Sequence, residues 1–199
     1  NNSEGISIGG TNATGNIVQG NFVGTDATGT GDLGNTSHGV SIGSAPNNTI
    51  GGTTPASRNV ISGNDFMGVF IIGAGASGNL VQGNFIGTDV TGTVALGSLR
   101  GVEINAAPNN TIGGTAAGAG NVIAASSQNG VSILSGANGT VVQGNFIGTD
   151  LTGTAVLGNT FNGVSISNAS NNSIGGTASG SANTIAFNGA DGVFVNNGT

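Results

Sequence analysis

The stretch GNLVQGNFIGTDVTGT at residues 78–93 occurs three times with few changes, and this repetition decides the fold. The other copies are GNIVQGNFVGTDATGT at 15–30 and GTVVQGNFIGTDLTGT at 139–154, so the copies start 63 and 61 residues apart. A second repeated stretch lies between them, as APNNTIGGT at 45–53 and 107–115 and as ASNNSIGGT at 169–177. Repetition at such a period indicates structural units that stack on one another and stabilise their neighbours.

Each unit divides into a long coil and a short coil. A tetrapeptide of glycine, an aliphatic residue, any residue and another aliphatic residue starts at positions 5, 39, 68, 101, 130, 163 and 192, so coils of 33 or 34 residues alternate with coils of 29. Every coil holds three short, alternating, β-branched segments separated by Gly, Asn, Ser and Thr, which is the pattern of strands. The 41 glycines in 199 residues disfavour helices.

Equivalent strands recur only after a full coil, so each strand pairs in parallel with its own equivalent above and below. The sequence therefore predicts an all-β fold with one domain, residues 1–199. We expect a single-stranded parallel β-helix, or β-solenoid, with three parallel sheets and about six coils. At about 4.8 Å per strand, such a rod is roughly 29 Å long.

The alternation also predicts which side chains face the core. In the first strand of each coil the inward residues are Ile6 and Ile8, Val40 and Ile42, Val69 and Ile71, Val102 and Ile104, Val131 and Ile133, Val164 and Ile166, and Val193 and Val195. In the second strand they are Val18, Ile50, Val81, Ile112, Val142 and Ile174, and in the third Val23, Ile61, Ile86, Ile123, Ile147 and Ile185.

A polar residue lies two positions before each member of the last two rows. Before the second strand these are Asn16, Asn48, Asn79, Asn110, Thr140 and Asn172, and before the third Asn21, Asn59, Asn84, Asn121, Asn145 and Asn183. A side-chain amide both donates and accepts hydrogen bonds, so stacked asparagines can satisfy one another along the axis. The sequence predicts two internal asparagine ladders.

The patterns GVxI…NNTIGG…NVISGN and GVxI…GNLVQGNFIGTD…TGT…LGN resemble the right-handed parallel β-helix repeats of the pectate-lyase-like superfold. More closely, they resemble the tandem repeat regions of large secreted or surface-anchored bacterial proteins. The resemblance covers essentially the whole chain and implies a right-handed solenoid. It does not fix an activity, because the same scaffold serves enzymes, tail spikes, adhesins and spacers.

Composition restricts the partners. With two arginines, no lysine and eight acidic residues, the formal charge is −6, so the chain lacks the basic surface that nucleic acid or an anionic membrane requires. No apolar run has the length of a membrane span, so we expect no membrane insertion. The absence of cysteine is consistent with an extracellular or cell-surface protein of a microbe that gains its stability from stacking.

No catalytic cluster stands out. The outward positions of the first strands are Ser7, Ser41, Phe70, Glu103, Ser132, Ser165 and Phe194. General acid–base work on a glycosidic bond generally needs two carboxylates, and only Glu103 is ionisable here, with Arg100 three residues before it as a solvated pair. We therefore expect a structural protein: a rigid stalk, an adhesin repeat or an end-to-end fibre. The alternatives are a carbohydrate-active enzyme or its polysaccharide-binding repeat region, and a surface that binds ice or carbohydrate through outward threonines.

The GTDxTGT loops of the long coils carry the best polar cluster. Their aspartates are Asp26, Asp89 and Asp150, and alignment of the short coils places Asn64, Ser126 and Asn188 at the same position. Each aspartate either caps its turn through backbone N–H groups or contributes to a calcium site, which would need further carbonyl and water oxygens. No other cofactor is expected.

An outward aromatic row, Phe22, Phe85 and Phe146, occurs in the long coils only, together with loop leucines Leu33, Leu96 and Leu157. We expect the leucines to cover the phenylalanines as a second small core; a platform for sugar rings is the alternative. No capping segment is visible at either end of the repeat. We therefore expect head-to-tail self-association, or continuation into further coils.

Overall fold

A computed structural model of the chain describes residues 1–197, which form nineteen short strands and one turn of 3-10 helix at Pro55–Ser57. In chain order the strands are β1 (Ile6–Gly9), β2 (Ile17–Val18), β3 (Phe22–Val23), β4 (Val40–Gly43), β5 (Thr49–Gly51), β6 (Val60–Ile61), β7 (Met67–Ile72), β8 (Leu80–Gln82), β9 (Phe85–Ile86), β10 (Arg100–Asn105), β11 (Thr111–Gly113), β12 (Val122–Ile123), β13 (Val131–Leu134), β14 (Val141–Gln143), β15 (Phe146–Ile147), β16 (Val164–Ser167), β17 (Ser173–Ile174), β18 (Thr184–Ile185) and β19 (Val193–Asn196).

Every third strand belongs to the same sheet. Sheet 1 has seven strands in the order β1-β4-β7-β10-β13-β16-β19, and sheets 2 and 3 have six each, from β2 to β17 and from β3 to β18. All strand pairs within the three sheets are parallel, and equivalent residues are in register: Val69, for example, pairs with Val40 and Val102. The prediction of a parallel β-solenoid of three sheets and about six coils is confirmed.

The core is one continuous column of aliphatic side chains. The inward residues of the middle coils, such as Ile42, Ile50 and Ile61, are completely buried. They belong to one cluster that extends from Ile8 to Ala169, with the partly buried Ile6, Val18, Ile174 and Ile185 packed against its ends. The predicted inward rows are confirmed in the coil interior. In β19 the two valines at the end of the stack, Val193 and Val195, are exposed.

The corner after sheet 1 uses the same backbone conformation in every coil. The residue that follows each strand has a positive φ: Gly10, Ser44, Gly73, Ala106, Ser135, Asn168 and Asn197. A residue with a Cβ atom is disfavoured in this left-handed region by about 1 kcal/mol. The coil geometry therefore imposes strain at Ser44, Ala106 and Ser135, where φ is 52°, 54° and 54°.

Candidate functional site

The asparagine ladder before sheet 3 is confirmed and runs through all six coils. In each step the side-chain Nδ2 of one asparagine donates to Oδ1 of the next. The donor–acceptor distances are 3.0 Å for Asn21–Asn59, 2.9 Å for Asn59–Asn84, 3.0 Å for Asn84–Asn121, 2.9 Å for Asn121–Asn145 and 3.1 Å for Asn145–Asn183. Because adjacent coils are joined by side chains as well as by backbone bonds, the ladder fixes the register of the stack.

A single rung shows how completely each amide is used. Oδ1 of Asn84 accepts from Nδ2 of Asn59 at 2.9 Å and from the Asn59 backbone N–H at 3.3 Å. Its Nδ2 donates to Asn121 Oδ1 at 3.0 Å and to the carbonyls of Ile50 at 2.9 Å and Gln82 at 3.0 Å. In the bonds from amide to amide, every Nδ2 donates toward the later coil. The first coil therefore presents amide oxygens to its outer side, and the last coil presents N–H groups.

The ladder before sheet 2 is interrupted once, at Thr140. It is intact from Asn16 to Asn110, with steps of 2.8, 3.2 and 3.1 Å. The buried Thr140 hydroxyl instead donates to Ala137 O at 3.0 Å, and only the Thr140 backbone N–H reaches Asn172 Oδ1, at 2.8 Å. Beyond the interruption, the buried Nδ2 of Asn172 has no hydrogen-bond partner among the described residues.

A third ladder, which the sequence did not predict, runs between sheet 3 and the next coil. Asn1 donates to Asn35 at 2.8 Å, Asn35 to Asn64 at 2.7 Å, and Asn159 to Asn188 at 2.8 Å. In the middle of the stack its positions are filled by two serines. Ser98 Oγ accepts the N–H of Asn64 at 3.2 Å, whereas the buried Oγ of Ser126 has no partner among residues 1–197.

The position of this ladder corrects the alignment of the short coils. Asn64, Ser126 and Asn188 are not the equivalents of the loop aspartates; they stack on the residues that follow the long-coil loops, which are Asn35, Ser98 and Asn159. The loop is an insertion before the corner, so counting forward from sheet 3 misaligns the coils. Counting back from sheet 1 finds the ladder, because an asparagine stands four residues before Gly39, Gly68 and Gly163.

The aspartates of the GTDxTGT loops cap their own turns. Asp89 Oδ1 accepts the Thr91 hydroxyl at 2.7 Å and the backbone N–H groups of Thr93 at 3.2 Å and Val94 at 3.1 Å. The same arrangement recurs at Asp150, and at Asp26 with the hydroxyl and N–H of Thr28. Each carboxylate thus closes a loop between a strand of sheet 3 and the next strand of sheet 1.

These contacts lower the pKa of the carboxyl groups. The Thr28 hydroxyl, followed by the N–H groups of Gly31 and Thr30, lowers the pKa of Asp26 to about 2. Burial raises the pKa of Asp89, but the Thr91 hydroxyl and the N–H groups around it outweigh this, so the pKa falls below its ordinary value. At Asp150 the N–H of Ala155 contributes most to lowering the pKa.

Calcium at Asp26, Asp89 and Asp150 stays a prediction. Each aspartate lies in its own loop and contributes one carboxylate. Within residues 1–197, no group of three or more His, Asp or Glu side chains lies close enough together to hold a metal ion. A cation in one of these loops would therefore compete with hydroxyl and N–H donors for a single carboxylate, and would need carbonyl and water oxygens for its remaining ligands.

The outer face of sheet 1 carries an ion pair whose glutamate is buried and whose arginine is partly exposed. Arg100 forms a salt bridge with Glu103, its Nε donates to Gln128 Oε1 at 2.7 Å, and Asn105 Nδ2 donates to the other Glu103 oxygen at 3.3 Å. Glu103 is only 3% exposed, so the expectation of a solvated pair is wrong. The aromatic ring of Phe70, its partner on β7, lies beside it and helps to exclude solvent.

His38 lies on the same face, with its ring centroid 4.5 Å from that of Phe70. Burial lowers the pKa of His38, although the charges of Glu4 and Glu103 partly oppose the shift. Both oxygens of Glu103 are already engaged by Arg100 and Asn105. The arrangement joins neighbouring coils, because Arg100 and Gln128 lie in successive coils.

The outward phenylalanines form the predicted second core in the middle of the rod only. Phe85 is buried with Val60, Val122 and Leu157, and Phe146 packs against them. The expectation that every loop leucine covers a phenylalanine is wrong in the first coil, where Leu33 is 69% exposed. Phe22, in the same coil, is 45% exposed.

Fold and ladders together define the class of this chain: it is a parallel β-solenoid of about six turns, with an aliphatic core and internal asparagine ladders. Comparisons with protein-family models, with curated proteins and with solved structures found no significant match. Among the described residues, no helix is long and apolar enough to cross a membrane.

Proposed function

We propose that the chain is a structural element of a microbial protein on the cell surface or outside the cell: a rigid stalk, an adhesin repeat or an end-to-end fibre. One observation carries the proposal. A single hydrophobic core extends through the stack beside an asparagine ladder without a gap. A rod built in this way has no joint between coils at which it could bend. Rigidity along one axis is what a spacer or a fibre requires.

The two faces at the ends of the rod are complementary. The first coil presents outward amide oxygens and exposed apolar side chains such as Ile17 and Phe22, and the last presents N–H groups with Phe187 and Val195 exposed. A junction between the last coil and a first coil would place a short coil against a long one. The same contact already occurs within the chain, where β6 pairs with β9 and β12 pairs with β15. Further coils of the same chain or a second copy would use the same contacts.

A second copy would have to rearrange one strand. Both β1 and β19 follow a coil-opening glycine, and sheet 1 has one strand more than the other two sheets. If two copies join end to end with all three sheets continuous, either β19 of one or β1 of the other must leave its place. We therefore expect such association to be slow, because an edge strand has to detach first. In a longer chain, β19 is simply the first strand of the next coil.

The extracellular location rests on composition. The chain has no cysteine and only 5% charged residues, and its stability derives from repeated backbone and side-chain bonds between coils. Labelling of intact cells with an antibody against the rod tests this part directly. Signal on unbroken cells supports a surface location, and signal only after lysis contradicts it.

Sedimentation velocity over a range of concentrations tests the end-to-end form. Association should produce species at multiples of 18.8 kDa, and electron microscopy should show rods of constant width. Their length should increase in steps of roughly 29 Å. Ile17→Lys places a charge on the edge strand β2 and should suppress association, whereas Val94→Lys, in an exposed loop, should not.

A species that stays at 18.8 kDa at every concentration would overturn the fibre, leaving the stalk. Cleavage of an acidic polysaccharide that is lost in Glu103→Gln would replace the structural function with an enzymatic one. Screening pectin and alginate with both proteins covers that alternative.

A further inference from the structure

The outer face of sheet 3 has two equivalent positions that are covered differently. In coil 3, the Phe85 ring lies under the guanidinium of Arg58, whose Cζ is 4.0 Å from the ring centroid. Phe146 occupies the same position in coil 5, but the residue equivalent to Arg58 in the preceding short coil is Gly120. A Cβ atom on Gly120 would lie 2.0 Å from the carbonyl oxygen of Gly144, so no side chain fits there. Phe146 is left partly exposed.

A groove of about 280 Å³ opens at this place. Arg58 forms one end, Phe146 and Leu151 line it from the third sheet and the loop of coil 5, and Thr115–Gly118 form the wall. The loops of the first two long coils are tied together, because Val90 N donates to Gly29 O at 2.9 Å. Leu151 is the equivalent of Val90, makes no such bond among the described residues, and is 41% exposed.

Arg58 is a cation without an acidic partner in the described part of the chain. The one salt bridge there is between Arg100 and Glu103. Arg58 Nε donates to Gly83 O at 3.3 Å, and stacking on Phe85 fixes the plane of the guanidinium. Its two Nη atoms donate to no side chain or carbonyl among residues 1–197. Burial lowers the pKa of Arg58, but an arginine in a protein remains protonated.

We propose that this groove binds a small carboxylate carried on a flat, apolar ring. The carboxylate accepts hydrogen bonds from the Nη atoms of Arg58, the ring lies on Phe146, and Leu151 contacts its far edge. The guanidinium has no acidic partner among the described residues, so it selects an anion although the chain carries a formal charge of −6. The volume, near the lower limit for ligand sites, restricts the ligand to about a single ring with its substituents. This site does not depend on the structural function proposed above.

Titration of the full 199-residue chain with benzoate, followed by NMR of the aromatic and methyl groups, tests the proposal. Benzoate should shift the signals of Phe146 and Leu151 in a saturable way. Benzamide, which has the same shape and no charge, should bind about 10-fold more weakly, since the charge-assisted hydrogen bonds are lost. Arg58→Gln should reduce benzoate binding to the level of benzamide, and Phe146→Leu should weaken it about 5-fold.

Arg100→Gln is the matched control, because it removes the other arginine and leaves the groove intact. Benzoate should bind this variant as it binds the unchanged chain, and the backbone spectrum of each variant reports whether it is folded. Equal affinity for benzoate and benzamide would overturn the proposal. So would unchanged benzoate binding by a folded Arg58→Gln protein, or shifts that map away from Phe146 and Leu151.

Discussion

Replacing Thr140 with asparagine should complete the interrupted ladder and stabilise the rod. Thr140 is fully buried, and threonine and asparagine have similar volumes, so the change needs little repacking. The new amide would donate to Asn172 Oδ1, which now receives only the Thr140 backbone N–H, and would accept the N–H and Nδ2 of Asn110. It can also keep the bond that the Thr140 hydroxyl makes to Ala137 O. These are three new bonds, but Asn110 Nδ2 already donates to the carbonyls of Ala76 and Ala107, so the net gain is about 2 kcal/mol.

Urea unfolding of the two proteins measures the difference, with the midpoint and the slope reported separately because repeat proteins can unfold in parts. Hydrogen exchange at the Asn110 backbone N–H gives a local readout and should slow in Thr140→Asn. The matched control is Asn79→Thr, which makes the reverse change two coils earlier in the same ladder. It removes the bonds that Asn79 makes to Asn48 and Asn110 and should cost about 2–3 kcal/mol. If Thr140→Asn leaves both measurements unchanged, or lowers the midpoint, the ladders do not stabilise the stack in the way described here.

Three further predictions follow from the corners and the loops. Ala106→Gly should stabilise the chain by about 0.5–1 kcal/mol, because φ is positive at this residue. Ala107→Gly, at the completely buried neighbouring residue without a positive φ, should destabilise the chain. Thermal unfolding of both variants measures the difference. Folding lowers the pKa values of Asp26, Asp89 and Asp150. These carboxylates therefore stabilise the folded state above the ordinary pKa of 3.8, and this stabilisation is lost as the pH falls through the folded pKa values, about 2 for Asp26. The melting temperature should therefore fall between pH 3.8 and about 2, and a triple Asp→Asn variant should show a smaller fall; equal pH profiles would contradict the capping role. Because turn capping occupies these carboxylates, calcium at about 5 mM should leave the melting temperature unchanged. A melting temperature that rises with calcium in the unchanged chain, but not in the triple variant, would establish the calcium sites instead.

The sequence was sufficient for the features that recur at a constant distance from a strand in every coil. Rows such as Ile50–Val81–Ile112 and the ladder through Asn84 recur at one position per coil and alternate with outward residues, so periodicity alone locates them. The third ladder was missed because its distance from the strand before it changes: Asn35 lies 12 positions after Val23 in a long coil, whereas Asn64 lies 3 positions after Ile61 in a short coil.

Features that occur once could not be derived from the period. Glu103 lies between residues of neighbouring coils that differ from coil to coil, Phe70 on one side and Ser132 on the other. Arg58 covers Phe85 because one short coil has an arginine where another has Gly120. Such contacts depend on side chains that lie about thirty residues apart and follow no pattern, so they become visible only when the coils are stacked.

The common orientation of the ladder amides gives the rod an electrical polarity. Each amide carries a dipole comparable with that of a peptide unit, roughly 3.5 D, and in the ladder through Asn21, Asn84 and Asn183 these dipoles add head to tail along the axis. The backbone of a sheet has little net dipole of its own, so the side-chain dipoles determine which end of the rod is negative. The first coil forms the negative pole and the last coil the positive pole. Two rods that meet with like poles repel, and a growing assembly would add units in one orientation only.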